Sequence, residues 1–150
     1  WTLLSKLSGR VPVIGVNAGF CFAGNAVLLG CCDVIIATEN SSIGIGGPAM
    51  IEGGGLGVYS PEEVGPMSVQ VPSGVVDIAV KDEAEAVQVT KKYLSYFQGP
   101  VDAWEANDQR LLRHVIPENR LRVYDIRQVI DTLADKDSVL ELRPNFGTAM

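Results

Sequence analysis

The sequence is poor in the residues that most often carry chemistry. It holds one histidine, His114, and three cysteines, Cys21, Cys31 and Cys32, among 150 residues. An odd count with two neighbours in an apolar run matches neither a disulfide framework nor a zinc pattern. The thiols read instead as small buried hydrophobes in a reducing compartment. That points to the cytoplasm, or to the mitochondrial matrix in a eukaryote, and no metal is expected. Lysine and arginine number 12 against 18 aspartates and glutamates, for a formal charge of −6. The basic residues form no cluster, which argues against a phosphate-tracking nucleic-acid surface. No run is long and apolar enough to span a membrane. A G-x-G-x-x-G fingerprint is missing after the first candidate strand, and G-x-S-x-G is missing altogether, which removes the dinucleotide loop and the hydrolase elbow.

Hydrophobic residues make up 47% of the chain, enough to bury one ordinary core. Trp1 to Leu4 already reads as the body of a helix, ending at Gly9, and Asn145 to Met150 bring no closing element. The chain is therefore expected to be part of a longer polypeptide. Val11–Asn17 and Asp33–Thr38 are short β-branched runs of the buried-strand type. Asn25 to Cys32, between them, reads as a short buried helix, and this order predicts a layered α/β core. The glycine-dense run from Gly44 to Gly57 reads as a loop, and Met67–Val80 as a return to strand composition with a turn at Ser73-Gly74. Asp82 opens a helix, with Glu85 completing a capping box. Ala86, Thr90, Tyr93 and Phe97 form its apolar stripe, widened by Val87 and Leu94. Residues 99–122 read as a linker. Tyr124–Asp135 is amphipathic and helical, with Ile126, Val129, Ile130 and Leu133 on one face, and Ser138–Pro144 follows as a strand.

The stretch from Gly19 to Gly47 holds the candidate chemistry. Small residues at Ala23 and Gly24 stand where a helix begins, so the first amides of that helix are reachable by a substrate carbonyl. Close helix–strand packing would select the same residues, and spacing alone leaves both readings open. Glu52, inside the glycine-rich run, reads as loop-pinning rather than a base; His114 as a surface or packing residue; Asp33 as structural.

"GVNAGFCFAGNAVLLGCCDVIIATENSSIG" resembles the oxyanion-hole region of the crotonase superfamily. "GGPAMIEGGGLGVYSPEEVGP", "SGVVDIAV", "KKYLSYFQGP" and "IPENRLRVYDIRQVIDTLADKDSVLELRPNFG" resemble, more narrowly, the β-type carboxyltransferase of biotin-dependent acyl-CoA carboxylases, the propionyl-/acetyl-CoA type. The likeness implies a crotonase-like α/β ββα spiral. Residues 1–98 would be the latter part of an N-terminal carboxyltransferase domain, 99–122 an inter-domain linker, and 123–150 the start of a C-terminal one. It implies that the Gly24 amide, with Asn25 beside it, polarises an acyl-CoA thioester carbonyl. The second donor of that hole would lie upstream of Trp1, and the biotin-binding hole beyond Met150.

Where the hydratase branch carries its two carboxylates, this chain has Gly46-Gly47 and Val27, which disfavours hydration and suits carboxyl transfer through an enolate. Ala23, Gly46, Gly47, Gly53, Gly54 and Gly55 are the candidate contacts for the CoA arm or for biotin. Carboxybiotin would come on a partner, since no lysine here sits in a Met-Lys-Met setting. The expected partners are a biotin carboxylase, a biotin carboxyl carrier domain and further copies of the chain. An acyl-CoA decarboxylase and a non-catalytic assembly module are the competing readings.

Overall fold

The computed structural model describes residues 1–147; positions 148–150 of the expected C-terminal domain lie outside them. The chain divides into two compact units, one formed by residues 1–97 together with those from 142 onward, the other by residues 98–141.

In the first unit the elements run α1 (Thr2–Ser5), β1 (Ile14–Asn17), β2 (Phe20–Phe22), α2 (Gly24–Gly30), β3 (Val34–Thr38), β4 (Ser42–Gly44), α3 (Pro48–Gly53), α4 (Met67–Gln70), β5 (Ile78–Val80) and α5 (Glu83–Ser95). Strands β1, β3 and β5 form a parallel sheet with β3 central, and β2 pairs in parallel with β4. Every residue of β3 is buried, as its β-branched run requires of a strand covered on both faces. Alternate side chains serve the two faces. Ile35 and Ala37 join Cys21, Ala26, Leu29, Ile43 and Val76 on one, while Ile36 joins Val80 and Ala86 on the other. Asp33 accepts from Val13 N–H at 2.8 Å and its own N–H donates to the Val13 carbonyl at 2.7 Å, so its role is structural.

Several expectations need correction. The glycine-rich run contains a helix, α3, started by Pro48 at its first turn, where a missing N–H costs nothing. Met67–Gln70 is helical rather than extended; Pro66 caps it, and Met67 and Val71 pack against the core. Only Ile78–Val80 of that segment pairs as a strand. On α5 Ala86 is buried in the core as expected and Val89 packs against it, while Val87 is 50% exposed. Asp82 caps α5 as expected, accepting from Glu85 N–H, but the Glu85 carboxylate reaches Lys81 N–H. Cys31 is exposed, so only Cys21 of the three thiols is a core residue. Ser138–Pro144 forms no strand. No neighbouring strand takes its backbone groups, and Arg143 N–H donates instead to the Asp77 carbonyl at 2.8 Å.

Gly15 is the packing glycine of this unit. A Cβ there would lie 2.4 Å from Leu29 Cδ1 and 3.2 Å from Cys32 Sγ, so α2 rests on β1 through the missing methyl. Gly15→Ala is expected to lower stability by about 1–3 kcal/mol through overpacking, seen as an earlier midpoint in denaturant titration. An unmoved midpoint would show that Leu29 steps aside freely.

The second unit contains α6 (Leu112–Val115) and α7 (Ile126–Leu133). The Asp125 side chain caps α7 at its start, and the side-chain amides of Asn107 and Gln109 donate to the Asp131 and Thr132 carbonyls at its end. Arg127 grips Glu141 through two hydrogen bonds, at 2.5 and 2.9 Å, which hold the Glu141 carboxyl below its ordinary range. No described residue of this unit is buried, and Ile126, Ile130 and Leu133 of α7 stay exposed.

Candidate active site

The site begins where the parallel strands end. Asn17, Thr38, Ser41 and Ser42 are buried there. Ser41 Oγ donates to the Asn17 carbonyl at 3.1 Å and lies 3.1 Å from Thr38 Oγ1, while Asn17 Nδ2 donates to the Gly19 carbonyl at 2.9 Å. A satisfied buried network of this kind fixes geometry. Here it anchors the turn that launches β2. Sequence reading passed over these side chains, although buried polar residues at the end of an apolar strand are a usable signal.

Strand β2 delivers Ala23, whose N–H is shared between the Gly44 and Ile45 carbonyls at 3.2 and 3.1 Å. Helix α2 follows at once, and its first recorded backbone bond is Val27 N–H to the Ala23 carbonyl at 3.2 Å. The N–H groups of Gly24 and Asn25 therefore precede the first helical bond, and both residues are exposed. A Cβ added at Gly24 would meet nothing within 4 Å. Internal packing thus gives no reason for glycine at 24, in contrast to Gly15.

Gly46 and Gly47 come to the same place. A Cβ on Gly47 would stand 3.3 Å from Phe22 Cβ, directly before Ala23, while one on Gly46 would reach only Met50 and Ile51 at ordinary distance. Gly53, Gly54 and Gly55 sit at the far end of α3, about 9 Å along a six-residue helix. Gly53 is open, Gly54 is tight against the Met50 carbonyl at 3.3 Å from a built Cβ, and Gly55 turns the chain at φ +70°. The structure therefore gathers Ala23, Gly24, Asn25, Gly46 and Gly47, and leaves Gly53 to Gly55 apart. Glu52 is exposed on α3, and His114 belongs to the other unit.

Burial pushes the thiols of Cys21 and Cys32 up, with Cys31 and Asp33 adding to the effect at Cys32, so neither is an activated nucleophile. Among the described residues no group of three His, Cys, Asp or Glu side chains could hold a metal ion. What the arrangement offers is backbone: the exposed N–H groups of Gly24 and Asn25 at the start of α2.

Residues 3–150 match the family model described as the carboxyl transferase domain. An uncharacterized carboxylase of Bacillus subtilis (strain 168), YngE, is 33% identical over 95% of this chain and 30% of its own length. The methylmalonyl-CoA carboxyltransferase 12S subunit of Propionibacterium freudenreichii subsp. shermanii is 30% identical over 95% of this chain and 29% of its own. The chain thus spans about a third of the curated relatives it matches. Among solved structures, a single-chain, multi-domain long-chain acyl-CoA carboxylase superposes with a TM-score of 0.92 at 59% identity, over 97% of this chain and 15% of that one. A transcarboxylase 12S hexamer with methylmalonyl-CoA and methylmalonic acid bound gives a TM-score of 0.82 at 28% identity, over 98% of this chain and 31% of that one. The fold is the crotonase-like α/β fold of these carboxyltransferases.

Proposed function

The chain belongs to the carboxyl transferase domain family, and from that premise we propose that it supplies the acyl-CoA side of a carboxyltransferase site. The observation that carries the reading is the pair of open amides at Gly24 and Asn25, with a glycine at 24 that nothing inside the chain requires. A thioester oxygen seated there would gain negative charge as the α-proton passes to the biotin nitrogen that has given up its carboxyl group, and donors already in place would stabilise it without reorganising. Carboxybiotin, carried on a partner, supplies the carboxyl group. This chain's part is positioning and electrostatics: Ala23, Gly46 and Gly47 line the approach, and no side chain there offers a competing acid or base. Residues 1–98 belong on this reading to the acyl-CoA half, 99–122 link it onward, and 123–150 open the half that receives biotin.

The acceptor is an acyl-CoA. Acetyl- and propionyl-CoA are the class read from the sequence; the 59% identity to a long-chain acyl-CoA carboxylase favours a longer chain. Transfer of labelled carboxyl from carboxybiotin to acetyl-, propionyl- and palmitoyl-CoA by the full-length protein tests both points. Transfer to none of them overturns the reading. Gly53 to Gly55 contribute contacts only if the CoA arm runs the length of α3. Gly47→Ala is expected to raise the acyl-CoA KM about tenfold, the loss of roughly 1.4 kcal/mol of binding, and an unchanged KM would remove Gly47 from the contact set. A biotin carboxylase, a biotin carboxyl carrier domain and further copies of the chain are the partners. The 12S relative's hexamer supports the last of these. The compartment is the cytoplasm, or the mitochondrial matrix in a eukaryote. Among the described residues no helix is long and apolar enough to cross a membrane.

A further inference from the structure

Two aspartates of the first unit clamp their neighbouring strands in the same way. Asp33, directly before β3, accepts from Val13 N–H through Oδ2 at 2.8 Å, and its own N–H donates to the Val13 carbonyl at 2.7 Å. Asp77, directly before β5, does the same with Ile35, at 2.7 and 3.0 Å. They differ in the second carboxylate oxygen. That of Asp77 accepts from Arg143 Nε at 2.6 Å, whereas that of Asp33 has no partner among the described residues. Asp33 lines instead a cleft of about 400 Å³, set between the chain leading into β1 and the end of α5.

Arg10, Pro12, Tyr93 and Phe97 line the cleft with it. The Arg10 side chain is exposed and forms no ion pair among the described residues, with Asp33 or with any other acid. The Tyr93 and Phe97 rings, 5.3 Å apart and tilted by 49°, supply an apolar wall. Burial pushes the Tyr93 hydroxyl up, with the Asp33 and Asp77 carboxylates adding to the effect, so it stays protonated and can donate. Apolar walls with a few unpaired polar groups are the usual make-up of a small-molecule site.

We propose that this cleft binds an α-amino acid with an apolar side chain, its carboxylate on Arg10, its ammonium on the free oxygen of Asp33, and its side chain against Pro12, Tyr93 and Phe97. Charge selects this class. A phosphate would meet Arg10 but be repelled by Asp33, on a chain that already carries −6. A simple cation would meet Asp33 but be repelled by Arg10. A zwitterion satisfies both, and Asp77 shows that the second oxygen of such an aspartate takes a cationic N–H. The cleft lies where β1 and β3 begin, while the candidate active site lies where they end, roughly 17 Å away along a five-residue strand. The inference does not rest on the carboxyltransferase reading, and its test uses no acyl-CoA.

The test is equilibrium dialysis of the full-length protein with labelled L-phenylalanine, with thermal unfolding alongside. Saturable binding is expected, weakened about tenfold or more by Arg10→Gln and by Asp33→Asn, the loss typical of one hydrogen bond to a charged group. Tm should not move, because asparagine keeps an oxygen for Val13 N–H and Arg10 has no partner to lose. If Asp33→Asn unfolds, Arg10→Gln decides alone. N-Acetylphenylalanine lacks the ammonium and phenylalaninamide the carboxylate, and each should compete about tenfold less well than phenylalanine. An absence of saturable binding overturns the proposal, as does binding that a folded variant leaves unchanged. Competition by both blocked compounds as strong as by phenylalanine overturns it too, since only the ring would then be held. Stronger displacement of the label by AMP would make the cleft a phosphate site and overturn the choice of ligand.

Discussion

Gly24→Val is expected to lower the rate of carboxyl transfer by about 10²–10³-fold, or roughly 3–4 kcal/mol of transition-state stabilisation, while the full-length protein stays folded. The two halves of this expectation come from different observations. A side chain at 24 meets nothing inside the unit, because a Cβ there has no heavy atom within 4 Å. Glycine is also a poorer helix former than valine, so the first turn of α2 does not suffer. On the proposed reading, the isopropyl group occupies the space through which the thioester oxygen approaches the Gly24 and Asn25 amides. The effect should fall on kcat/KM for acyl-CoA, with a denaturation midpoint within about 0.5 kcal/mol of the parent, the usual range for an exposed substitution. Gly15→Ala is the counterpart: an internal clash with Leu29 and a loss of stability. A Gly24→Val protein that transfers carboxyl at the parental rate would remove the amide from the mechanism and leave glycine at 24 unexplained.

Gly15 and Gly24 also show where reading the sequence reached its limit. Gly15 stands inside the β-branched run of β1 and Gly24 among small residues after β2, and neither setting by itself separates a packing glycine from an open one. The distinction depends on Leu29 and Cys32 folding back over Gly15 while nothing folds back over Gly24. Elements whose signal is local were legible: β3, a β-branched run long enough to require burial on both faces, and α5, with Asp82 at its cap. Those that depend on distant partners were not. Strands β2 and β4 are three residues each, too short for alternation to register, and they exist because each supplies the other's hydrogen bonds. Helix α4 sits in a valine-rich run that reads as strand. It is helical because Pro66 starts it, and the Gln70 side chain ties it to the Ile43 carbonyl at 2.6 Å. Ala23 was singled out for its size; that its backbone is left-handed follows from carbonyls of residues 44 and 45, which no local pattern announces.

Asp77 drew no notice in the sequence, standing as one acid inside "SGVVDIAV", yet Asp77→Ala is expected to cost about 3 kcal/mol. Its side chain is buried and carries two attachments. One oxygen accepts from Ile35 N–H at 2.7 Å, inside the central strand, and the other accepts from Arg143 Nε at 2.6 Å. Its backbone adds two more bonds, its N–H donating to the Ile35 carbonyl and its carbonyl accepting from Arg143 N–H. Truncation to alanine leaves the buried Ile35 donor without its partner, at about 1–3 kcal/mol. It also removes the side-chain partner of Arg143, a residue at φ +56° whose backbone N–H bond to residue 77 remains. The Arg143 side chain is 49% exposed, so water takes up part of the loss on that side. A drop of this size corresponds to a Tm lower by about 10 °C. Phe146 should loosen with it, since its ring lies over Gly74, where a Cβ would be only 2.8 Å away. Limited proteolysis reads this directly, as faster cleavage near residues 142–147 than in the parent. Arg143→Gln should show the same loosening with a smaller fall in Tm, because Ile35 keeps its acceptor. Equal stability of Asp77→Ala and the parent would mean that the strand pairing of β3 holds Ile35 without the carboxylate, and that Phe146 and the Arg143 N–H bond to the carbonyl of residue 77 hold the segment from 142.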